Sequence, residues 1–149
     1  MELRQLTIAK VHQGLLQKKF SALELVKAYL DNKAQKKISA FLTITEEIAI
    51  EGAKKIDDLI AKNKDVSILA GIPLAVKDNI MVEPVRTTCA SKILEDYKAP
   101  YDATCIKKLK GLGVVILGKT NLDEFAMGAS TEYSGFFPTR NPYDLRRVP

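Results

Sequence analysis

Lys77 is the first residue of this sequence that could do chemistry. It ends the apolar run GIPLAVK, where burial would remove water from its ammonium group. A lysine with the ordinary pKa of about 10.4 is almost never neutral at pH 7, whereas a pKa near about 7 would make it a usable base. Its neighbour Asp78 would oppose that change if the two groups were close, but successive side chains of a strand point to opposite faces. The residues alone leave two interpretations open, a catalytic base or a lysine that extends from a strand end into water.

Lys119 belongs to a second pattern, the octapeptide from Gly113 to Thr120, which has the P-loop spacing G-x-x-x-x-G-K-T. In a P-loop the four intervening residues form a bend whose N–H groups converge on phosphate. Here those residues are 114–117, VVIL, and they predict a buried strand that uses its N–H groups in sheet pairing. The sequence therefore argues against nucleotide binding. The flanking Gly118 and Asn121 predict a turn, in which Lys119 makes local hydrogen bonds.

The elements around these lysines predict an α/β fold. LAGIPLAVKDNI and VVIL are short apolar runs typical of strands buried on both faces, and DATCIKKLKGLG between them has the pattern of a helix that ends at a glycine. Before them, SALE predicts a helix with Ser21 as its N-cap and Glu24 closing a capping box. ISAFLTIT predicts a strand, and helical spacing recurs at Ala49, Ala53, Ile56 and Ile60. We therefore expect a helical region at 1–65 and the start of a mixed sheet core at 66–149, within one domain.

The stretch from residue 120 to residue 149 predicts an ordered loop after a short helical turn at Leu122 to Phe125. Gly, Ser, Thr, Asn and Pro dominate it. A loop of small residues leaves room for a ligand, although an ordinary connection has the same composition.

Composition and charge exclude several classes of protein. The chain has 149 residues, of which 46% are hydrophobic and 28% charged, as in one globular domain. No apolar run reaches the roughly 18 residues of a membrane span and no signal peptide is evident, so we expect a cytoplasmic protein. Cys89 and Cys105 lack metal-site spacing, and we expect them to be reduced and structural, with no metal in the chain. The net charge of +5 is spread over lysine pairs with acidic neighbours, which favours solvated helix faces over an RNA groove.

Four long stretches together resemble the amidase signature family. They are GIPLAVKDNI, TTCASKIL, YDATCIKKLKGLGVVILGKTNLDEFAMGASTE and FFPTRNPYDLRRVP. Within that family, DEFAMG followed by STE is similar to the A subunits of the glutamyl-tRNA(Gln)/aspartyl-tRNA(Asn) amidotransferases. The resemblance implies the N-terminal portion of an amidase signature fold.

The resemblance also implies a Ser-cisSer-Lys mechanism with Lys77 as the catalytic base. Its neutral amine would take a proton through a bridging serine from a nucleophilic serine, which attacks a carboxamide and releases ammonia. The amide pocket would be lined by Met127, Gly128, Ala129 and Ser130.

The partners implied by the resemblance are the B and C subunits of a heterotrimeric amidotransferase. The substrate would be glutamine, and its ammonia would convert a misacylated Glu-tRNA(Gln) or Asp-tRNA(Asn). This chain would hold no cofactor, since the partner subunit would use the ATP and magnesium.

The matching residues end before the segment that carries both family serines, which we expect beyond residue 149. Ser91, Ser130 and Ser134 do not match either serine motif. A 149-residue chain is therefore expected to be inactive by itself. Two alternatives remain, a non-catalytic binding or assembly module built from the amidase N-terminal region, and part of an amidase with another amide substrate.

Overall fold

A computed structural model of the chain describes residues 2–31 and 35–149. Helices α1 to α5 span Ile8–Leu16, Ala22–Leu30, Gln35–Ile38, Glu46–Ala61 and Thr104–Gly111, and strands β1 to β3 span Phe41–Ile44, Pro73–Lys77 and Val115–Thr120. Short 3-10 turns occupy Leu3–Gln5, Lys92–Leu94 and Glu124–Ala126. By their contacts the residues form two compact units. Unit 1 contains Met1–Asn32, Thr45–Leu74 and Lys107–Leu117, and unit 2 contains Lys33–Ile44, Ala75–Ile106 and Gly118–Pro149.

Unit 1 holds an apolar core between α1, α2 and α4. The predicted capping box is confirmed, since the Ser21 side chain accepts from the Glu24 N–H and the Glu24 carboxylate accepts from the Ser21 N–H. Asp57 of α4 adds a second cap, because its carboxylate accepts the N–H groups of Ala22 at 2.7 Å and Leu23 at 3.1 Å. The predicted inward face of α4 is also confirmed, and its buried residues are Ala49, Ala53, Ile56 and Ile60. Burial of such aliphatic faces contributes about 1.5–3 kcal/mol for each large side chain.

Unit 2 has an interior rich in polar groups. Among the described residues, most of the buried polar side chains lie here: Asp78, Thr87, Thr88, Ser91, Lys119, Asp123 and Thr131. Within residues 2–31 and 35–149, every buried side-chain nitrogen and oxygen has a hydrogen-bond partner. Burial without partners would cost several kcal/mol per group, so this interior depends on a connected set of hydrogen bonds.

The three strands form a mixed sheet in the order β1-β3-β2. β1 is antiparallel to β3, with Phe41 opposite Thr120 and Ile44 opposite Gly118. On the other side of β3, hydrogen bonds from Val115 N to Ile72 O and from Asp78 N to Thr120 O run in the parallel direction. The bond made by Val115 confirms sheet pairing within the VVIL run, whereas the Val114 N–H donates to the Leu109 carbonyl at 3.2 Å, at the end of α5. Residues 115–117 are therefore strand and not the phosphate-binding bend of a P-loop.

Two sequence expectations about the strands are wrong. The turn predicted at Gly118 and Asn121 is absent from the described chain, because β3 continues to Thr120 and Gly118 serves a close approach: a Cβ there would collide with the Thr43 carbonyl oxygen. β2 is not buried on both faces either. It alternates, with Val76 buried between the exposed Ala75 and Lys77, as in a strand that is covered on one face.

The predicted helix before β3 is confirmed as α5. Gly113 follows its end with φ +79°, the left-handed conformation that glycine adopts without a side-chain clash. In the described part of the chain, no helix has both the length and the apolar character needed to cross a membrane.

Candidate active site

Lys77 ends β2 with its side chain exposed, and its ammonium group makes no hydrogen bond to any residue that the structure describes. The expected alternation is confirmed, because the next residue, Asp78, is fully buried. The expectation that burial strips water from Lys77 is wrong for this chain, since its side chain extends past the one covered face of β2.

Lys119 is the buried lysine of this region. Its side chain is 0% exposed, and its Nζ lies 2.9 Å from Asp78 Oδ1 and 2.8 Å from Thr87 Oγ1. It also donates to the Arg86 carbonyl oxygen at 3.3 Å. These partners lie 32 to 41 residues away in sequence, so the local hydrogen bonds expected for Lys119 are wrong. Burial lowers the pKa of Lys119, and the hydrogen bond and negative charge of Asp78 only partly offset this.

The second oxygen of Asp78 fixes the backbone that follows Thr87. Asp78 Oδ2 accepts the Thr88 N–H at 2.8 Å and the Thr88 hydroxyl at 2.5 Å, while its carbonyl accepts the Cys89 N–H at 3.1 Å. Cys89 and Ala90 then have φ values of +52° and +55°, which are costly for residues other than glycine. Strain of this kind persists only where surrounding bonds impose it, and it concentrates at functional sites.

The strained segment is joined to the loop that follows β3. The Cys89 carbonyl accepts the Phe125 N–H at 2.9 Å, and the Ala90 carbonyl accepts the Gly135 N–H at 2.7 Å. Phe125 itself has φ +52°, so the short helical turn predicted at 122–125 is a distorted 3-10 turn at Glu124–Ala126. A series of hydrogen bonds therefore joins the buried Lys119–Asp78 pair, through residues 88–90, to the loop that carries residues 127–130.

Asp123 closes that loop. The residue is 3% exposed, and its carboxylate accepts three N–H groups at 2.9 Å: Oδ2 accepts those of Ser130 and Thr131, and Oδ1 accepts that of Tyr133. Burial by itself would raise the pKa of Asp123, but the three N–H donors and the positive charge of Lys77 hold the pKa below its usual range.

The residues expected to line an amide pocket lie on the outer side of the same loop. Met127 is 82% exposed, Gly128 and Ala129 are exposed, and Ser130 is half-buried with its hydroxyl donating to Glu132 at 2.9 Å. Lys77 and these residues belong to the same compact unit. The Met127 and Ser130 N–H groups donate within the chain, to the Glu124 carbonyl and to the Asp123 carboxylate.

The two cysteines of the chain, Cys89 and Cys105, both lie in unit 2. Both cysteines are free, with Cys89 half-buried and Cys105 exposed on α5. Burial raises the pKa of the Cys89 thiol, and the nearby Asp78 charge acts in the same direction. Among residues 2–31 and 35–149 there is no group of three or more His, Cys, Asp or Glu side chains that could hold a metal ion.

The family of this chain follows from its match to a family model. The model of the amidase family matches residues 24–149, and so covers most of the chain. The chain belongs to the amidase family. All the residues of the Lys77 and Asp123 region fall inside the matched part, and so does the buried Lys119 pair.

Curated relatives of this amidase chain are named as the A subunit of glutamyl-tRNA(Gln) amidotransferase. The protein of that name from Carboxydothermus hydrogenoformans is 51% identical over the whole chain, and the one from Thermoanaerobacter pseudethanolicus is 52% identical. The chain spans only 31% of the length of each.

Solved amidase structures have the same fold. The A subunit of the Thermotoga maritima glutamyl-tRNA(Gln) amidotransferase is 38% identical with a TM-score of 0.76, and the match covers 98% of this chain and 29% of that one. The peptide amidase of Stenotrophomonas maltophilia is 27% identical with a TM-score of 0.84, over 95% of this chain and 31% of that one. The fold is therefore shared by amidases with different names. Of these two structures, the one with the higher sequence identity to this chain has the lower TM-score.

Sequence reasoning missed Asp123, and it misread Lys119. Asp123 stands in a polar loop with nothing local to distinguish it, because its three donors come from residues seven to ten positions later. A weak signal existed for the buried pair in this chain. Asp78 and Lys119 each stand two positions beyond an apolar strand run, where charged side chains of neighbouring strands can meet, but the sequence does not state that these two strands are neighbours.

Proposed function

We propose that this chain is the N-terminal part of the glutamine-hydrolysing A subunit of a tRNA-dependent amidotransferase, which converts Glu-tRNA(Gln) to Gln-tRNA(Gln). One observation carries the proposal: a relative named as the A subunit of glutamyl-tRNA(Gln) amidotransferase is 51% identical over the whole chain, a match that includes Lys77 and residues 127–130. The same relative supports glutamine as the amide substrate.

In this proposal Lys77 is the base and acts in its neutral form. It accepts a proton from a bridging serine, which accepts one from a nucleophilic serine, and both serines belong to sequence outside this chain. The nucleophilic oxygen bonds to the carboxamide carbon of glutamine, and backbone N–H groups stabilise the oxyanion. The C–N bond then breaks, the nitrogen takes up the proton and leaves as ammonia, and water hydrolyses the acyl-enzyme to glutamate.

The loop at residues 127–130 supplies the amide pocket. Met127 and Gly128 are its principal contacts, with Ala129 and Ser130 completing its wall. Their exposure in this chain supports the assignment, because side chains and N–H groups that bind a ligand must be reachable from solvent.

The remaining parts of the proposal concern the assembly. Residues 1–149 belong to a single amidase domain, and the full-length protein works in the cytoplasm in a heterotrimer with the B and C subunits. The partner subunit uses ATP and magnesium to activate the misacylated Glu-tRNA(Gln) or Asp-tRNA(Asn), which then receives the ammonia.

The test uses the full-length protein in its complex, with ammonia release from glutamine as the measurement. Lys77→Ala removes the base, and Lys77→Arg keeps a positive charge that cannot be given up near neutral pH. We expect both variants to lower kcat by about 10²- to 10⁴-fold. Lys98→Ala, which removes an exposed lysine of the same unit, serves as the matched control and is expected to retain activity.

Two results would contradict the proposal. Activity in Lys77→Arg close to that of the unmodified complex would exclude Lys77 as the base. Hydrolysis of peptide amides without hydrolysis of glutamine would assign the chain to an amidase with another substrate, and absence of any amide hydrolysis in the complete complex would favour a binding or assembly module.

A further inference from the structure

Asp123 is a buried carboxylate, and both of its oxygens accept hydrogen bonds from one loop. Oδ2 receives two N–H groups, from Ser130 and Thr131, and Oδ1 receives a third, from Tyr133. Hydrogen bonds to an ionised carboxylate are roughly twice as strong as those between neutral groups. One side chain therefore holds the backbone at three positions between residues 130 and 133.

Gly128 passes directly over this carboxylate. A Cβ at position 128 would lie 2.5 Å from Asp123 Cγ and 2.7 Å from Oδ2, closer than side-chain atoms approach one another. The turn that places residues 127–130 on the outer side thus requires both the carboxylate and the absence of a side chain at 128.

Bonds on either side hold the base of the loop independently of the carboxylate. The Glu124 N–H donates to the Tyr133 carbonyl at 3.2 Å, and the Thr139 N–H donates to the Thr131 hydroxyl at 2.7 Å. Neither contact involves the carboxylate, so we expect loss of Asp123 to free residues 127–130 more than the chain around them.

We propose that Asp123 is a positioning residue for substrate binding: its carboxylate fixes the loop at residues 127–130 as the amide pocket. This inference rests on the function proposed above, because it assigns the loop to the substrate. Asp123 does not touch the reacting atoms. It acts through Gly128 and Ser130, and its removal is expected to affect KM more than kcat.

Two substitutions of Asp123 should raise the KM for glutamine by different amounts. In Asp123→Asn the remaining carbonyl oxygen can still accept from Ser130 and Thr131, but the new amide group turns a donor toward the Tyr133 N–H. In Asp123→Ala all three acceptors are lost. We expect KM for glutamine to rise about tenfold in the first variant and about a hundredfold in the second, with kcat falling less than KM rises.

The matched control is Asp57→Asn. Asp57 also accepts two backbone N–H groups, those of Ala22 and Leu23, but it lies in unit 1. This change is expected to lower thermal stability and to leave KM unaltered. A rise in KM in Asp57→Asn equal to that in Asp123→Asn would mean that general destabilisation explains both, and would overturn the positioning role.

Hydrogen exchange on the same proteins separates this inference from the proposed function. The amides of Ser130, Thr131 and Tyr133 should lose protection in Asp123→Ala while those of α4 keep it. Unchanged protection overturns the positioning role whatever the activity. Lost protection with unchanged KM also overturns the positioning role. If the unmodified complex releases no ammonia from glutamine, the proposed function itself is wrong.

Gly128→Ala provides a second variant that leaves the carboxylate in place. Its methyl group would push the loop away from Asp123, so KM should rise as it does in Asp123→Asn, with the same loss of protection at Ser130. A normal KM in Gly128→Ala, together with lost hydrogen-exchange protection at Ser130, would contradict the inference.

Discussion

At the scale of single residues, two lysines near the ends of neighbouring strands have opposite environments. Lys77 is exposed and without a hydrogen bond among the described residues, while Lys119 is fully buried and bonded to Asp78, Thr87 and Arg86. Removing an ion pair of this kind from water costs several kcal/mol per ion, and only close partners offset the cost. The buried pair is therefore explained by what it orients, namely the strained segment from Thr88 to Ala90.

We predict that breaking this pair from one side is severe. Lys119→Met leaves the Asp78 carboxylate buried without its cation, and a loss of about 3–5 kcal/mol in the free energy of unfolding is expected. The double variant Asp78→Asn/Lys119→Met should lose less than the sum of the two single variants, because it removes both charges. Urea denaturation at low protein concentration measures these values.

The control for this prediction is the exposed pair Lys55–Glu51, whose atoms lie as close, at 2.7 Å. Lys55→Met should have no measurable effect, because water screens exposed charges. Additive losses in the two single variants at Asp78 and Lys119 would show that the buried charges do not depend on each other.

What the sequence could reveal about these residues was local. Alternation along a strand was enough to place Asp78 opposite Lys77, and the end of an apolar run was enough to select Lys77. The burial of Lys119 depends on a partner 41 residues away, and neither spacing nor composition encodes such a distance. The same holds for Asp123, whose importance comes from the path of a loop.

At the scale of elements, the pairing of β1 with β3 depends on one glycine. Gly118 stands opposite Ile44, and the pairing contains an irregularity between Phe41 and Thr43. The sequence predicted the strands themselves, because period-two and apolar patterns are local. It did not predict that Gly118 lies within a strand, because the cause is the close approach of the Thr43 carbonyl from a distant element.

We predict that Gly118→Ala disrupts this pairing. The new methyl group would meet Thr43 O and would lie 2.9 Å from the Phe41 ring, so β1 must move away and its hydrogen bonds to β3 must lengthen. A loss of about 1–3 kcal/mol in unfolding free energy is expected, as for other overpacked sites.

Gly52→Ala is the matched control within α4. Its methyl group would lie 3.7 Å from Val115, an ordinary contact, and alanine favours a helix by up to about 1 kcal/mol over glycine. The control should therefore be neutral or stabilising in the same urea experiment. Equal stability of the Gly118→Ala and Gly52→Ala proteins would refute the steric account of Gly118.

At the scale of the whole molecule, unit 2 exposes large apolar side chains that a stable surface would cover. Ile93 is 84% exposed, Met127 82%, Tyr133 72% and Tyr143 98%. The relatives named as the amidotransferase A subunit are about three times as long as this chain, which spans 31% of their length. In the proposed full-length protein, the additional sequence would supply the cover and the two serines that Lys77 requires.

We predict that the 149-residue chain by itself self-associates through these side chains. Exposed apolar area is removed from water on association, with about 25 cal/mol gained for each Å². Sedimentation velocity at a series of protein concentrations should therefore show a mean mass that rises above 16.5 kDa. The double variant Ile93→Ser/Met127→Ser should shift this rise to higher concentration. The same type of change in unit 1, Ile8→Ser/Ile68→Ser, should shift it less, because those side chains are only 48% and 53% exposed. A chain that stays monomeric at every concentration would contradict the prediction, and would mean that the loop and its apolar side chains are stable in water without a partner.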